Sequence, residues 1–174
     1  AARYVRANTP YERMKEGEIM LGKQYSAMYP QNYEWLWQDL LVTCEAPLLV
    51  GDSGVGKGYL VADIVAAVTT GRTMPRDDTS RDPASVIMIG LEEDAECTTI
   101  HKLSAAGADL TRVIDLSEVD SKDFFSGSRR REFTLQEDMP ALRKCIREHG
   151  GEVSLVVLDP MSALSDRPLT ATVT

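Results

Sequence analysis

The sequence predicts an α/β protein in which a mainly parallel sheet is flanked by helices, and three observations predict it. The apolar run Pro47-Leu48-Leu49-Val50 enters a glycine-rich octapeptide, Gly51 to Gly58, which leads straight into Tyr59-Leu60-Val61-Ala62-Asp63-Ile64-Val65; this reads as strand, loop and helix. From Leu48 onward, short apolar runs alternate with longer amphipathic ones, as βα units around a parallel sheet do. Finally, Ser154-Leu155-Val156-Val157-Leu158 is almost unbroken apolar sequence ending in Asp159-Pro160, a buried strand that delivers a carboxylate to its C-terminal end. In open parallel sheets that edge is where ligands bind.

In chain order, residues 1–33 are polar and mixed. Glu12, Arg13, Lys15, Glu16 and Glu18 suggest a charged helical stretch, and Pro10 and Pro30 are breaks. They form an expected N-terminal extension to a core spanning 34–174. Glu34 to Val42 brings Trp35 and Trp37 close to the first core strand as a lid or strap; exposed indoles would stack bases, but buried ones are commoner. Strands are expected at 47–50, 85–91, 112–116 and 153–158. Helices are expected at 57–70, at 95–106 ending at Gly107, and at 137–149 ending at Gly150-Gly151. Two polar loops, 71–83 and 117–132, lie between them, and there is no internal repeat.

The chain has 174 residues, 43% of them hydrophobic, enough for one domain with a buried core and little room for a second. A net charge of −8 and a pI near 4.8 give no overall attraction to nucleic acid or anionic membrane. Any DNA contact must then come from a local patch or an oligomer's channel. Cys44, Cys97 and Cys145 are odd in number, widely spaced and without a C-x-x-C, which fits reduced thiols in a cytoplasmic setting. No apolar stretch is long enough to span a bilayer. The chain starts without methionine and stops shortly after the strand ending at Asp159, so it is expected to be a fragment of a longer polypeptide.

The octapeptide Gly51-Asp52-Ser53-Gly54-Val55-Gly56-Lys57-Gly58 carries the chemistry. Glycines let successive backbone N–H groups turn inward around phosphates, the following helix adds its positive end, and Lys57 reaches the β- and γ-phosphates. The expected ligand is a nucleoside triphosphate, held by residues 51–58 and the adjoining Tyr59. One position departs: the residue after the lysine is normally Ser or Thr, whose hydroxyl ligates Mg²⁺, and here it is Gly58. Asp159 is the expected Mg²⁺ ligand, beside the phosphates. Glu92, Glu93 and Asp94 follow the strand 85–91. Glu92 is the expected catalytic residue, orienting or deprotonating the attacking water, with Glu93 in reserve; Glu93 and Asp94 also suit the first turn of a helix. Arg129-Arg130-Arg131 concentrates positive charge; it suits phosphate contact, though a solvated loop is the commoner role. His101 and His149 have no partner at metal-ligand spacing.

With these motifs placed, the chain from about Glu34 to Ala163 resembles the RecA-like AAA-type P-loop ATPases, a group that includes RepA-type hexameric replicative helicases. Besides the phosphate loop, the resemblance rests on Glu34-Trp35-Leu36-Trp37, on Thr70-Gly71-Arg72-x-Met74-Pro75, and on Glu92-Glu93-Asp94 followed by Lys102-Leu103 and Ala106-Gly107-Ala108-Asp109-Leu110. Leu158-Asp159-Pro160-Met161-Ser162-Ala163 closes the set. The resemblance implies a RecA-like fold, ATP and Mg²⁺ as cofactors, Lys57 and Glu92 as catalytic residues, and Lys102 near the nucleotide base. It also implies a homo-oligomeric, hexameric ring and a DNA-replication setting with single-stranded DNA as partner. The core would be C-terminally incomplete, since a further strand, DNA-contacting loops and an arginine finger follow this point in the family. Two other classes share the motifs. A scaffold that binds nucleotide without hydrolysis is compatible with Gly58, and an assembly ATPase needs no DNA. A small-molecule phosphotransferase fits less well, because fifty residues precede the loop, Tyr59 stands where Thr is usual, and no arginine-rich lid is evident.

Overall fold

A computed structural model of the chain describes residues 34–43, 45–91, 95–123, 127–149 and 152–160. The expected extension 1–33 lies outside the described residues. The centre is a parallel three-stranded sheet of β3 (Ser85–Gly90), β4 (Val113–Asp115) and β7 (Val153–Asp159), in the order β4-β3-β7. Ile87 lies level with Ile114 on one side and Val156 on the other. Strand β3 is covered on both faces, which is why its sequence is a continuous apolar run. Val86 joins a cluster with Ala62, Val65, Val68, Met74 and Leu103, whereas Ile87 and Ile89 join Phe133 and Leu142 on the opposite face.

Helix α1 (Lys57–Thr70) supplies the first cluster. Its small buried residues, Ala62, Ala66 and Ala67, let its axis approach the sheet closely. Thr69 is fully buried; its hydroxyl donates to Val65 O at 2.8 Å and accepts from Asp109 N at 3.1 Å. The helix ends at Gly71, where φ is +73°. A Cβ there would lie 2.5 Å from Arg81 O, so only glycine fits both the left-handed turn and the returning chain. Helix α2 (Ile100–Ala106) is preceded by a wide π-helical turn, Ala95–Thr99, and ends at Gly107, φ +81°. Helix α3 (Leu135–Glu148) covers the second face with Leu142.

The segment with two tryptophans is a short hairpin, β1 (Trp35–Trp37) with β2 (Leu41–Val42). It straps the loop after α1: Trp37 Nε1 donates to Pro75 O at 2.9 Å, Arg81 donates to Trp35 O at 3.0 Å, and Gln38 N donates to Asp77 at 3.3 Å. Asp77 is buried, accepting also from Thr79 N and from Arg81 at 2.8 Å. These contacts explain why a loop of polar sequence is ordered.

Two expectations are corrected. Residues 47–50 form no strand: Leu48, Leu49 and Val50 are 73%, 47% and 78% exposed, and no neighbour among the described residues pairs with them. Apolar sequence supplies the side chains of a strand, but inter-strand hydrogen bonds make it one, and the outer edge of β7 is likewise unpaired among the described residues. Conversely, the expected loop 117–132 is an antiparallel hairpin, β5 (Glu118–Asp123) with β6 (Gly127–Glu132). Its polar sequence hides it, since a ribbon outside the main sheet buries too little of one face to alternate clearly. Smaller shifts move the start of α3 from 137 to Leu135 and the end of β7 from 158 to Asp159.

Candidate functional site

Residues 51–58 join the exposed 45–50 segment to α1. Gly54 and Gly56 have φ of +79° and +94°, the left-handed conformation that turns consecutive peptide N–H groups to one side. Gly56 O accepts from both Tyr59 N and Leu60 N at 3.1 Å, starting α1. Gly56 O thus takes up two of the helix's first N–H groups, and the very start of α1 presents the helix's positive end to the loop. Lys57 folds back across the loop, and its ammonium donates to Gly51 O at 2.7 Å and Asp52 O at 2.8 Å. A phosphate entering the loop would draw that ammonium from two neutral carbonyls to an anionic oxygen, a stronger acceptor. Asp52, Ser53 and Val55 are exposed on the loop.

The sheet places a second set of groups at its C-terminal edge. Asp159 ends β7 opposite Gly90, its carbonyl accepts from Leu91 N at 3.0 Å, and its side chain is exposed. Beside it, Gly90 N donates to Ser117 Oγ at 2.9 Å, and Ser117 Oγ donates to Asp115 at 2.5 Å. A cavity of about 220 Å³ lies between this edge, α1 and α2, and its lining includes Gly58, Lys102, Asp115, Ser117 and Asp159. The structure therefore gathers Gly58, Lys102 and Asp159 around one space, although they are far apart in sequence. Glu92, with Glu93 and Asp94, lies outside the described residues; Leu91, just before them, is the residue hydrogen-bonded to Asp159.

Lys102 extends from α2, where the buried Leu103 anchors the helix, to the start of α1. Its Nζ lies 5.6 Å from the centroid of the Tyr59 ring, in cation–π range. It also lies 3.4 Å from where a Cβ on Gly58 would stand. Tyr59 itself is 68% exposed.

The fit of Mg²⁺ follows from the donor set. Gly58 offers no hydroxyl, and Asp159 and Asp115 are carboxylates on the cavity's lining; Mg²⁺ is commonly held by one or two carboxylates together with substrate phosphates and water. Among the described residues no group of three carboxylate, histidine or cysteine side chains is arranged to hold a metal ion. The loop therefore adds no hydroxyl ligand at position 58, and Asp159 with Asp115 are the carboxylates that would hold the ion beside the phosphates.

Asp115 and Ser117 are site residues that sequence reasoning passed over. Their signal was present: Val113-Ile114-Asp115 is an apolar strand ending in aspartate, the same pattern that singled out Asp159. Arg131, by contrast, is structural. It binds Asp138 at 2.6 and 2.9 Å and Glu137 at 3.0 Å, tying β6 to the start of α3. Arg130 is an exposed surface residue 4.0 Å from Glu118.

A family model described as an AAA domain matches residues 19–167. No curated protein and no solved structure matches the chain.

Proposed function

The chain belongs to the AAA-domain family, and from that membership we propose that it binds ATP in the Gly51–Gly58 loop and hydrolyses it as a RecA-like motor in DNA replication or another DNA transaction. The observation that carries the reading is the loop itself: two left-handed glycines, a helix N-terminus and a lysine folded back on Gly51 O meet within eight residues, the combination that suits a phosphate. In this reading Lys57 stabilises charge on the γ-phosphate and Glu92 orients the attacking water. The working state is a homo-oligomeric ring, hexameric by family resemblance, with single-stranded DNA as its partner in the cytoplasm. Cys97 and Cys145, which are in no disulfide, and the lack among the described residues of a helix long and apolar enough to cross a membrane, are compatible with it.

A second reading, a nucleotide-gated scaffold or assembly ATPase with little turnover, is favoured by one observation, the replacement of the usual hydroxyl by Gly58 with Lys102 beside it. ATP turnover by the intact polypeptide, measured with and without single-stranded DNA and beside Lys57→Ala, separates the two. DNA-stimulated turnover that vanishes in Lys57→Ala supports the motor. Tight ATP binding without turnover sinks the motor and leaves the scaffold.

A further inference from the structure

We propose that Ser117, oriented by Asp115, is a positioning residue for ATP hydrolysis: its hydroxyl fixes the last residue of β3 at the sheet edge where the nucleotide would react. The proposal rests on the reading of residues 51–58 as the loop of a hydrolysing ATPase and adds to it a residue that acts through the backbone of β3. Strand β4 ends at Asp115, level with Met88, and Leu116 N still donates to Met88 O at 2.9 Å. There the ladder gives out. Ser117 O is turned away to accept from Phe133 N at 2.9 Å, and Gly90 N donates instead to Ser117 Oγ at 2.9 Å. A side-chain oxygen thus does for Gly90 what a strand carbonyl does for the residues before it. Gly90 has no side chain to anchor it, and glycine loses more conformational freedom on ordering than any other residue. The position of this strand end therefore depends on what its N–H meets.

The hydroxyl is itself held in one orientation. Ser117 Oγ donates its single proton to Asp115 Oδ1 at 2.5 Å, and Ser117 N donates to the same oxygen at 2.9 Å. With the proton committed to a carboxylate, a lone pair of Oγ faces Gly90 N. On the other side of β3, Leu91 N donates to Asp159 O at 3.0 Å, and Leu91 packs against the cluster of Ile87, Ile89, Phe133 and Leu142. The end of β3 is tied to both flanking segments, and the next residue in the chain is Glu92. Gly90, Asp115, Ser117 and Asp159 line the same cavity as Gly58, so the tie lies beside the start of α1, next to the phosphate loop. A group that orients water must be closely placed, and a displacement of about 1 Å can cost about 100-fold in rate. The bond from Gly90 to Ser117 accordingly bears on the rate of hydrolysis, whereas affinity for the triphosphate resides in the loop.

The test is steady-state ATP turnover by the full chain, with Kd for ATP measured beside it by calorimetry and folding checked by thermal melts. Ser117→Ala should lower kcat about tenfold. Its Kd for ATP, and the Mg²⁺ concentration giving half-maximal rate, should stay within about twofold of wild type, a split that loss of a phosphate or metal ligand would not give. Ser117→Thr keeps the hydroxyl and should hold kcat within about threefold of wild type. Ser117→Cys keeps the shape with a weak acceptor and should lose kcat as Ser117→Ala does, so the result does not hang on one variant. Amide exchange at Gly90, followed by nuclear magnetic resonance, should speed up about tenfold in Ser117→Ala and in Asp115→Ala, and stay near wild type in Ser117→Thr. Wild-type kcat in Ser117→Ala and Ser117→Cys, or a loss that appears in Kd rather than kcat, overturns the proposal and leaves the ATPase reading standing. Wild type that binds ATP without turning it over overturns the hydrolysis reading itself, and the proposal with it.

Discussion

Gly56, Gly71 and Gly107 all hold left-handed backbone, yet they serve different ends and their replacements separate accordingly. A Cβ on Gly107 or Gly56 meets nothing within 4 Å, so alanine there carries only the conformational cost, about 1 kcal/mol. At Gly71 the same cost is joined by a clash with Arg81 O and Pro83, and Gly71→Ala is expected to destabilise by about 3 kcal/mol. Urea titrations of the three variants test this ranking. ATP titration should add a second contrast, since Gly56→Ala alone of the three disturbs the phosphate loop and should weaken binding well beyond its stability loss. Asp77 shows a charge doing structural work. Its carboxyl is held well below the usual carboxylate range, first by the hydrogen bond from Thr79 N, against the effect of burial, then by Arg81 and by Gln38 N. A depressed native pKa stabilises the fold above the unfolded value, near 3.9, and that contribution drains away as pH falls below it towards the native value. Asp77→Asn should therefore lower the urea midpoint at neutral pH and flatten its decline between about pH 4 and pH 2. An unchanged acid limb would show that other carboxylates control it; Asp138 is one, its carboxyl lowered because Arg131 and Thr134 N outweigh burial.

Among the elements, those that face the core were legible and those held by partners were not. Helix α1 was bounded correctly at both ends, because the glycine loop and Gly71 punctuate it, and β3 and β7 were read from apolar runs buried on both faces. The segment 47–50 failed because an apolar run says nothing of whether a neighbouring strand is there to receive it. The β5–β6 ribbon was missed for the opposite reason, having a partner but no strong hydrophobic pattern. At the site, the loop and Asp159 were evident from local sequence, whereas the meeting of Lys102 with Gly58 needs α1 and α2 packed together, and no spacing of residues encodes that. The Arg129–Arg131 cluster divides in the same way. Asp138→Ala removes the nearly buried partner of Arg131 and the acceptor for Thr134 N, and should cost about 2 kcal/mol, discounted from a fully buried pair because Arg131 is partly exposed. Arg130→Ala should change stability by less than about 0.5 kcal/mol. Denaturant midpoints for the two variants decide whether this pair or the wider basic cluster fastens the ribbon.

At the scale of the whole molecule, the sheet has a hydrophobic cluster on each face of β3 among the described residues. Val65→Ala on one face and Phe133→Leu on the other should each cost about 1–3 kcal/mol, and the double variant should equal their sum within about 0.5 kcal/mol. A larger coupling would mean that the sheet transmits repacking from face to face. Under the motor reading proposed above, nucleotide at α1 would need such transmission to move anything beyond the sheet, so additivity bears on that reading. The strap has a practical corollary. Both tryptophans of the chain sit on β1, and Trp37 is hydrogen-bonded to Pro75 and packed against the core cluster of α1, while the exposed aromatic ring at the nucleotide loop is Tyr59. Indole emission is thus a native optical gauge of whether the strap is seated. Any loosening of that strap can be followed without a single added dye.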